Sequence, residues 1–221
     1  MKLDTLWSDG PRFYQCASVF KIGTDSLQLA RFVNAASARK AMDLGTGTGV
    51  LAILLALANE KLQLDAIDIS PQAVELTSKN AQENNVTAQV FPQVADMREI
   101  KGRFPAGGYD LVIANPPYFA VNTGKRAQGD IADAREESCC SLDDITKAAA
   151  YLLRAGGNFA LVHRPERLSE LCVCMTAHNI QPKRLQFAFA DPTKPPSLIF
   201  LEGKRGAKPG LKIEAPLLLQ R

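Results

Sequence analysis

Between Ala41 and His178 the chain repeats one unit: a short apolar run, a connection of Gly, Pro or Asn, then a helical pattern. Ala41-Met42-Asp43-Leu44 reads as a strand and Val50 to Ala58 as an apolar helix. Leu62 to Ile67 and Val86 to Phe91 read as strands around an amphipathic helix from Pro71 to Asn84, which has proline near its start. Tyr109 to Ala114 and Phe159 to Val162 are further strands. Ser141 to Leu153 is a helix with Ser141 as its cap and Gly156-Gly157 after it, and Pro165 to His178 is another. A short run that is apolar throughout suits a strand covered on both faces. Such strands, alternating with helices over short connections, build a parallel sheet with helices on either side.

The two ends break the pattern. Ser18 to Ile22 alternates like a short strand, Gly23-Thr24 punctuates it, and Asp25-Ser26-Leu27-Gln28 has the form of a capping box opening a helix to about Ala36. Arg184 to Phe189 and Ser197 to Leu201 have no room for a helix between them, which predicts an antiparallel hairpin on the sheet edge. Lys204 to Gly210 is a basic glycine turn, and Leu211-Lys212-Ile213 is long enough for one more short strand. Val121 to Cys140 is the longest stretch without apolar pattern, and loops of that length in compact domains are functional or mobile.

At 221 residues the chain suits one domain with a full core. The five cysteines are odd in number and form no Cys-x-x-Cys pair, so they read as reduced thiols in a cytoplasmic protein. With only His163 and His178, neither a zinc site nor a histidine triad is expected. No apolar signal core and no bilayer-length apolar window is present.

Chemistry concentrates at the ends of the expected strands. Asp43-Leu44-Gly45-Thr46-Gly47-Thr48-Gly49 lies where the first strand of the repeat turns into a helix. Glycines there let the backbone approach a ligand, and the helix start offers free N–H donors. Val50 occupies the third glycine of the dinucleotide spacing, and no Lys-Ser or Lys-Thr follows, so neither a dinucleotide fingerprint nor a P-loop is present. Asp43 before the glycines suits a ligand bearing an ammonium group. Asp68 ends the next strand and suits the two hydroxyls of a ribose, with Ile69 against an adenine. Asp96 can accept from an adenine amino group, and Met97 can pad the ring. Each aspartate alone reads more readily as a helix cap or a loop residue than as a ligand contact. Their succession at strand ends carries the argument, because ligands of open α/β sheets bind at the carboxyl ends of strands.

Asn115-Pro116-Pro117-Tyr118 follows the strand Tyr109 to Ala114. Two prolines stop sheet pairing, and Pro116 holds Asn115 extended. The Asn115 oxygen and the Pro116 carbonyl can each accept one N–H of a planar base, and Tyr118 can stack on it. A proline turn with Tyr118 packed on the core is the alternative. Net charge is +3, which permits nucleic acid without requiring it. Lys125, Arg126 and Arg135 follow Tyr118, and Lys183, Arg184, Lys194, Lys204, Arg205, Lys208 and Lys212 crowd the last forty positions. Such clusters grip phosphates, or form a solvated face and a charged tail.

In this order, Asp43-x-Gly45-x-Gly47-x-Gly49, Asp68, Asp96 and Asn115-Pro116-Pro117-Tyr118 resemble the class I methyltransferases that use S-adenosylmethionine. Lys21-Ile22-Gly23-Thr24-Asp25, the helix after residue 141, the run Gly157 to Arg167 and the basic hairpin are similar to the small bacterial tRNA adenine-N6 methyltransferases, which act beside the anticodon of a valine tRNA. The resemblance implies a Rossmann-like, doubly wound, mostly parallel α/β sheet with a C-terminal antiparallel hairpin. It implies residues 1–36 as an extension packed on the cofactor site and 37–221 as the methyltransferase domain.

It also implies S-adenosylmethionine bound by Thr24, Asp25, Asp43, Gly45, Gly47, Gly49, Asp68, Ile69, Asp96, Met97 and Asn115. Catalysis falls to Asn115, Pro116 and Tyr118. RNA, most of all tRNA, falls to Pro117, Tyr118, Phe119, Lys125, Arg126, Arg135 and Lys194. No membrane and no metal partner is expected. Enzymes that methylate a protein glutamine share the Asn-Pro-Pro-Tyr string but resemble a layout with a helical domain ahead of the glycine loop, and about forty residues precede Asp43 here. A DNA adenine methyltransferase would carry a target-recognition insert, for which the loop after Tyr118 is short; a guanine-N2 target, a nicotinamide oxidoreductase and an inactive binder are further alternatives.

Overall fold

A computed structural model of the chain describes residues 2–16, 19, 22–118 and 140–219. Strands β1 (Lys2–Thr5) and β2 (Arg12–Gln15) form a small antiparallel hairpin ahead of helix α1 (Thr24–Phe32). There follow β3 (Lys40–Leu44), α2 (Val50–Ala58), β4 (Gln63–Asp68), α3 (Pro71–Glu83), β5 (Val90–Val94) and β6 (Tyr109–Ala114). Then come α4 (Leu142–Leu152), β7 (Leu153–His163), α5 (Leu168–Ala177), β8 (Ile180–Phe189), β9 (Leu198–Arg205), β10 (Lys212–Ile213) and β11 (Leu217–Leu218).

The main sheet runs β10-β8-β9-β7-β6-β3-β4-β5, with β11 also on β8. Neighbours from β7 to β5 are parallel, and β9 is antiparallel to both β7 and β8. The doubly wound α/β sheet follows from the strand sequences. In β6, Leu111 and Ile113 belong to one buried cluster with α1 and α2, while Val112 and Ala114 belong to another with α4 and α5. A strand with apolar residues of both parities therefore has helices on both faces. Each fully buried aliphatic side chain of this kind contributes about 1.5–3 kcal/mol.

Local signals fix the helix ends. Ser70 caps α3 by accepting the Ala73 N–H, with Pro71 at the first helical position. Ser141 and Asp144 form a reciprocal capping box on α4.

Several expectations need correction. The fifth strand spans Val90–Val94, not Val86 to Phe91. Val86 to Gln89 turn out of α3 behind Asn85, whose φ is 58°, and the Gln89 and Val90 N–H groups both reach the Val86 carbonyl at 3.0 Å. α1 ends at Phe32 rather than Ala36, because Val33 is already extended. Its N-cap is Gly23 with no side-chain cap; Asp25 takes the neighbouring Ser26 N–H instead of closing a box with Gln28. The strand expected over Ser18 to Ile22 falls largely on residues outside those described. The helix expected from Pro165 starts as a 3₁₀ turn, Pro165–Arg167, before α5.

The C-terminal hairpin is not the sheet edge. β9 inserts beside β7, and β10 and β11 cover the far side of β8. Its register also divides the basic residues. His163 pairs with Ile199 and Asn158 with Lys204. At about 3.3 Å per residue these pairs lie about 17 Å apart along the strand. Lys204 and Arg205 therefore sit at the amino-terminal edge of the parallel strands, and Lys183 joins them through a 3.4 Å bond from its Nζ to the Lys208 carbonyl. Arg184 is committed to Glu202 and Glu214, and Lys212 also pairs with Glu214.

Candidate active site

The carboxyl ends of β3, β4, β5 and β6 open on a cavity of about 450 Å³, a size suited to a small ligand. The first turn of α1 and the segment around Ile22 close its other side.

The glycine loop forms the floor. Gly45 and Gly47 have φ of 76° and 56°, and a Cβ added to either would meet nothing within 4 Å. Both are bare backbone facing open space, the arrangement that lets a ligand lie on the chain. Gly49 serves a different purpose and does not line the cavity. It caps α2, and a Cβ there would come within 2.7 Å of Thr77 Cγ2. The loop is held from behind. The Gly45 and Thr46 N–H groups donate to the Ile67 carbonyl, each at 2.9 Å. Thr77 Oγ1 donates to the Gly47 carbonyl at 3.1 Å and Asn80 Nδ2 to that of Thr48 at 2.8 Å. Asn80 also accepts the Tyr14 N–H at 2.7 Å, joining β2 to the loop. Thr77 and Asn80 were not singled out from the sequence. Their signal was there: both are polar and sit on the buried face of α3.

Asp43 lies behind the loop rather than on the wall. Its carboxylate is fully buried, accepts from Thr46 Oγ1 at 2.8 Å, and leaves Oδ1 without a partner. Burial, reinforced by repulsion from Asp68, pushes its pKa up to about 7. Its direct action is on the loop. Asp68 accepts the Gly47 N–H and the Ser70 N–H, each at 2.9 Å, so one carboxylate ties the glycine loop to the turn after β4. Ile69 beside it is 55% exposed, an apolar side chain presented at the cavity. Asp96 accepts from Arg98, whose guanidinium holds its carboxyl below the usual range. Met97 is on the wall with Cys140 against it, 3.2 Å between sulfurs.

Asn115 and Tyr118 are clamped by the start of α1. Asn115 Nδ2 donates to Ser26 Oγ at 2.7 Å, and the Tyr118 hydroxyl donates to Asp25 Oδ2 at 2.5 Å. Burial and the Asp25 charge raise the Tyr118 pKa, so the phenol stays protonated. Pro116 is buried, and Pro117 shares the wall. Behind Tyr118 stands His163, the last residue of β7, with ring centroids 5.5 Å apart in an edge arrangement. His163 Nδ1 accepts the Arg164 N–H at 2.8 Å, which puts its proton on Nε2. Burial lowers its pKa to about 4.

Of the residues singled out from the sequence, the cavity gathers Asp25, Gly45, Gly47, Asp68, Ile69, Asp96, Met97, Asn115, Pro116, Pro117 and Tyr118. Thr24, Asp43 and Gly49 are not on its wall. Lys194 lies in the β8–β9 turn, away from the wall. Phe119, Lys125, Arg126 and Arg135 lie outside the described residues. Ser26 and Cys140 line the cavity without having been singled out. Among the described residues no cluster of His, Cys, Asp and Glu could hold a metal, and no helix is long and apolar enough to cross a membrane.

The model of the methyltransferase small domain family matches residues 16–172. A tRNA1(Val) (adenine(37)-N6)-methyltransferase of Tolumonas auensis is 32% identical over 190 residues, 85% of this chain and 76% of that protein. One of the same name from a Flavobacteriaceae bacterium is 30% identical over 148 residues, 67% of this chain and 61% of the relative's length. Among solved structures, a predicted O-methyltransferase from Agrobacterium tumefaciens superposes with a TM-score of 0.71 at 21% identity, covering 88% of this chain and 86% of the other.

Proposed function

This chain belongs to the methyltransferase small domain family, and from that membership we propose that it methylates the exocyclic N6 of an adenine in tRNA, the adenine at position 37 of a valine tRNA. S-adenosylmethionine is the cofactor and supplies, when bound, an electrophilic methyl group. The residues present fit it. Gly45 and Gly47 leave open the space a Cβ would take, Asp68 and Asp96 are acceptors at successive strand ends, and Ile69 and Met97 are apolar beside them. In the proposal these residues hold the cofactor, while Asp43 acts by fixing the loop.

The observation that carries the reading is the clamp on Asn115 and Tyr118 by Ser26 and Asp25. An adenine N6 lone pair is delocalised into its ring and is a poor nucleophile. Asn115 Oδ1 and the Pro116 carbonyl accept its two protons and draw the nitrogen toward tetrahedral geometry. A rigid acceptor pair does this without reorganising during the reaction. No strong base is needed, because the alkylated nitrogen is acidic enough to release its proton to water. Pro117 and Tyr118 bound the slot into which a base turned out of its strand would fit.

The relatives named for tRNA support the substrate. The test is transfer of labelled methyl to tRNA lacking its native modifications, followed by separation of the nucleosides. Label in N6-methyladenosine is expected. Label only in guanosine would move the target to N2, and label only in protein would restore the glutamine reading.

A further inference from the structure

The sequence assigns phosphate contacts to the basic C-terminal hairpin, yet the register removes most of that set from the cavity side. Lys183, Lys204 and Arg205 lie toward the amino-terminal edge of the parallel strands, and Arg184 and Lys212 are spent on Glu202 and Glu214. The cavity opens at the opposite edge. Arg164 and Lys194, by contrast, lie at that edge.

Arg164 directly follows β7 and is exposed. Its guanidinium carbon lies 5.4 Å from the centre of the Tyr118 ring. Among the described residues no carboxylate pairs with it, whereas its neighbour Arg167 is bound at 2.6 Å by Glu170. Lys194 is the second. The pairing of His163 with Ile199 and of Ala188 with Leu198 brings the β8–β9 turn to the same edge. Lys194 is 74% exposed there and touches Asp191 only loosely, at 3.8 Å.

We infer that the RNA backbone leaves the cavity across the end of β7 and the β8–β9 turn, with Arg164 holding the phosphodiester beside the flipped nucleotide and Lys194 a neighbouring one. This rests on the tRNA reading above. A guanidinium lying over an aromatic ring is oriented yet keeps N–H donors, which suits bidentate contact with a phosphate. Its anchor is the ring that bounds the base slot, so the phosphate and base contacts belong to one rigid group. The His163 Nδ1 bond to the Arg164 N–H fixes the backbone at that point.

The test is binding of an unmodified tRNA transcript over a series of salt concentrations, with methyl transfer and cofactor affinity measured in parallel. Arg164→Gln is expected to weaken tRNA binding about tenfold and to reduce the salt slope by about one, with cofactor affinity unchanged. Arg164→Lys keeps the charge and recovers part of the affinity. Lys194→Gln acts in the same direction and more weakly. Lys204→Gln with Lys208→Gln, at the far edge, stays within about twofold of wild type. If wild type binds and methylates tRNA while Arg164→Gln binds equally well, the inference falls alone. A larger loss in the Lys204/Lys208 pair than in Arg164→Gln would also overturn it. If wild type neither binds nor methylates RNA, the functional reading falls and takes the inference with it.

Discussion

Asn115 Nδ2 stands 2.7 Å from Ser26 Oγ, across 89 positions of sequence. The contact orients the amide and leaves Oδ1 for another partner; the Tyr118 hydroxyl is 3.4 Å from Oδ1 and gives its one proton to the closer Asp25 carboxylate at 2.5 Å. A helix of the N-terminal segment thus sets the geometry of an acceptor directly after β6. Ser26→Ala is expected to lower kcat about ten- to a hundredfold, as misplacing an acceptor does. Cofactor Kd should stay within about twofold, and Ser26→Thr should restore turnover. An unchanged kcat in Ser26→Ala would show that Asn115 needs no such support.

Asn115→Ala removes the acceptor itself. Loss of one preorganised hydrogen-bonding group costs about 10²–10³ in kcat. The cofactor cradle of Gly45, Gly47 and Asp68 is held by its own bonds, so calorimetric titration should find cofactor affinity retained. Equal loss of binding and transfer would place Asn115 in the cofactor site instead.

Tyr118→Phe separates ring from hydroxyl. The phenol donates to Asp25 at 2.5 Å, and its removal leaves a half-buried carboxylate short of a partner, a loss of about 1–3 kcal/mol. The ring stays, so kcat/KM should fall about tenfold, and Tyr118→Ala should fall much further. Matching losses would mean that the ring contributes nothing.

The parallel core and the cavity end of the sheet were readable because short apolar strands and punctuating residues coincide there. β6 and α2 lie where the sequence places them. The β1–β2 hairpin was not readable, since Phe13 is the one apolar residue its strands bury and Leu3 is exposed. The Val86-Thr87 pair imitated a strand start that helix exit overrode. The basic tail misled for a different reason. Charge is visible in sequence, but which sheet edge bears it depends on antiparallel register, which only pairing sets. Ser26 was hidden inside an apparent capping box; its partner, Asn115, follows β6 and lies 89 positions away, and nothing local marks it.

Asp43 and His163 should leave opposite marks on stability against pH. Asp43 moves from 3.8 to about 7, mainly through burial. Between those values the native state keeps a proton that the unfolded chain has lost, so stability falls as pH rises, and the whole penalty is present above about pH 7. His163 moves from 6.5 to about 4, also mainly through burial. There the unfolded chain holds the extra proton, so stability rises with pH until about 6.5. The two shifts are of similar size and largely cancel from about pH 4 to 6.5, so that of this pair only Asp43 lowers stability toward pH 7. Asp43→Asn should therefore give a Tm that climbs through the acid range, and His163→Phe one that declines through it. Thermal unfolding at half-unit pH steps reads both. Profiles parallel to wild type in the two variants would mean that neither group titrates with the fold.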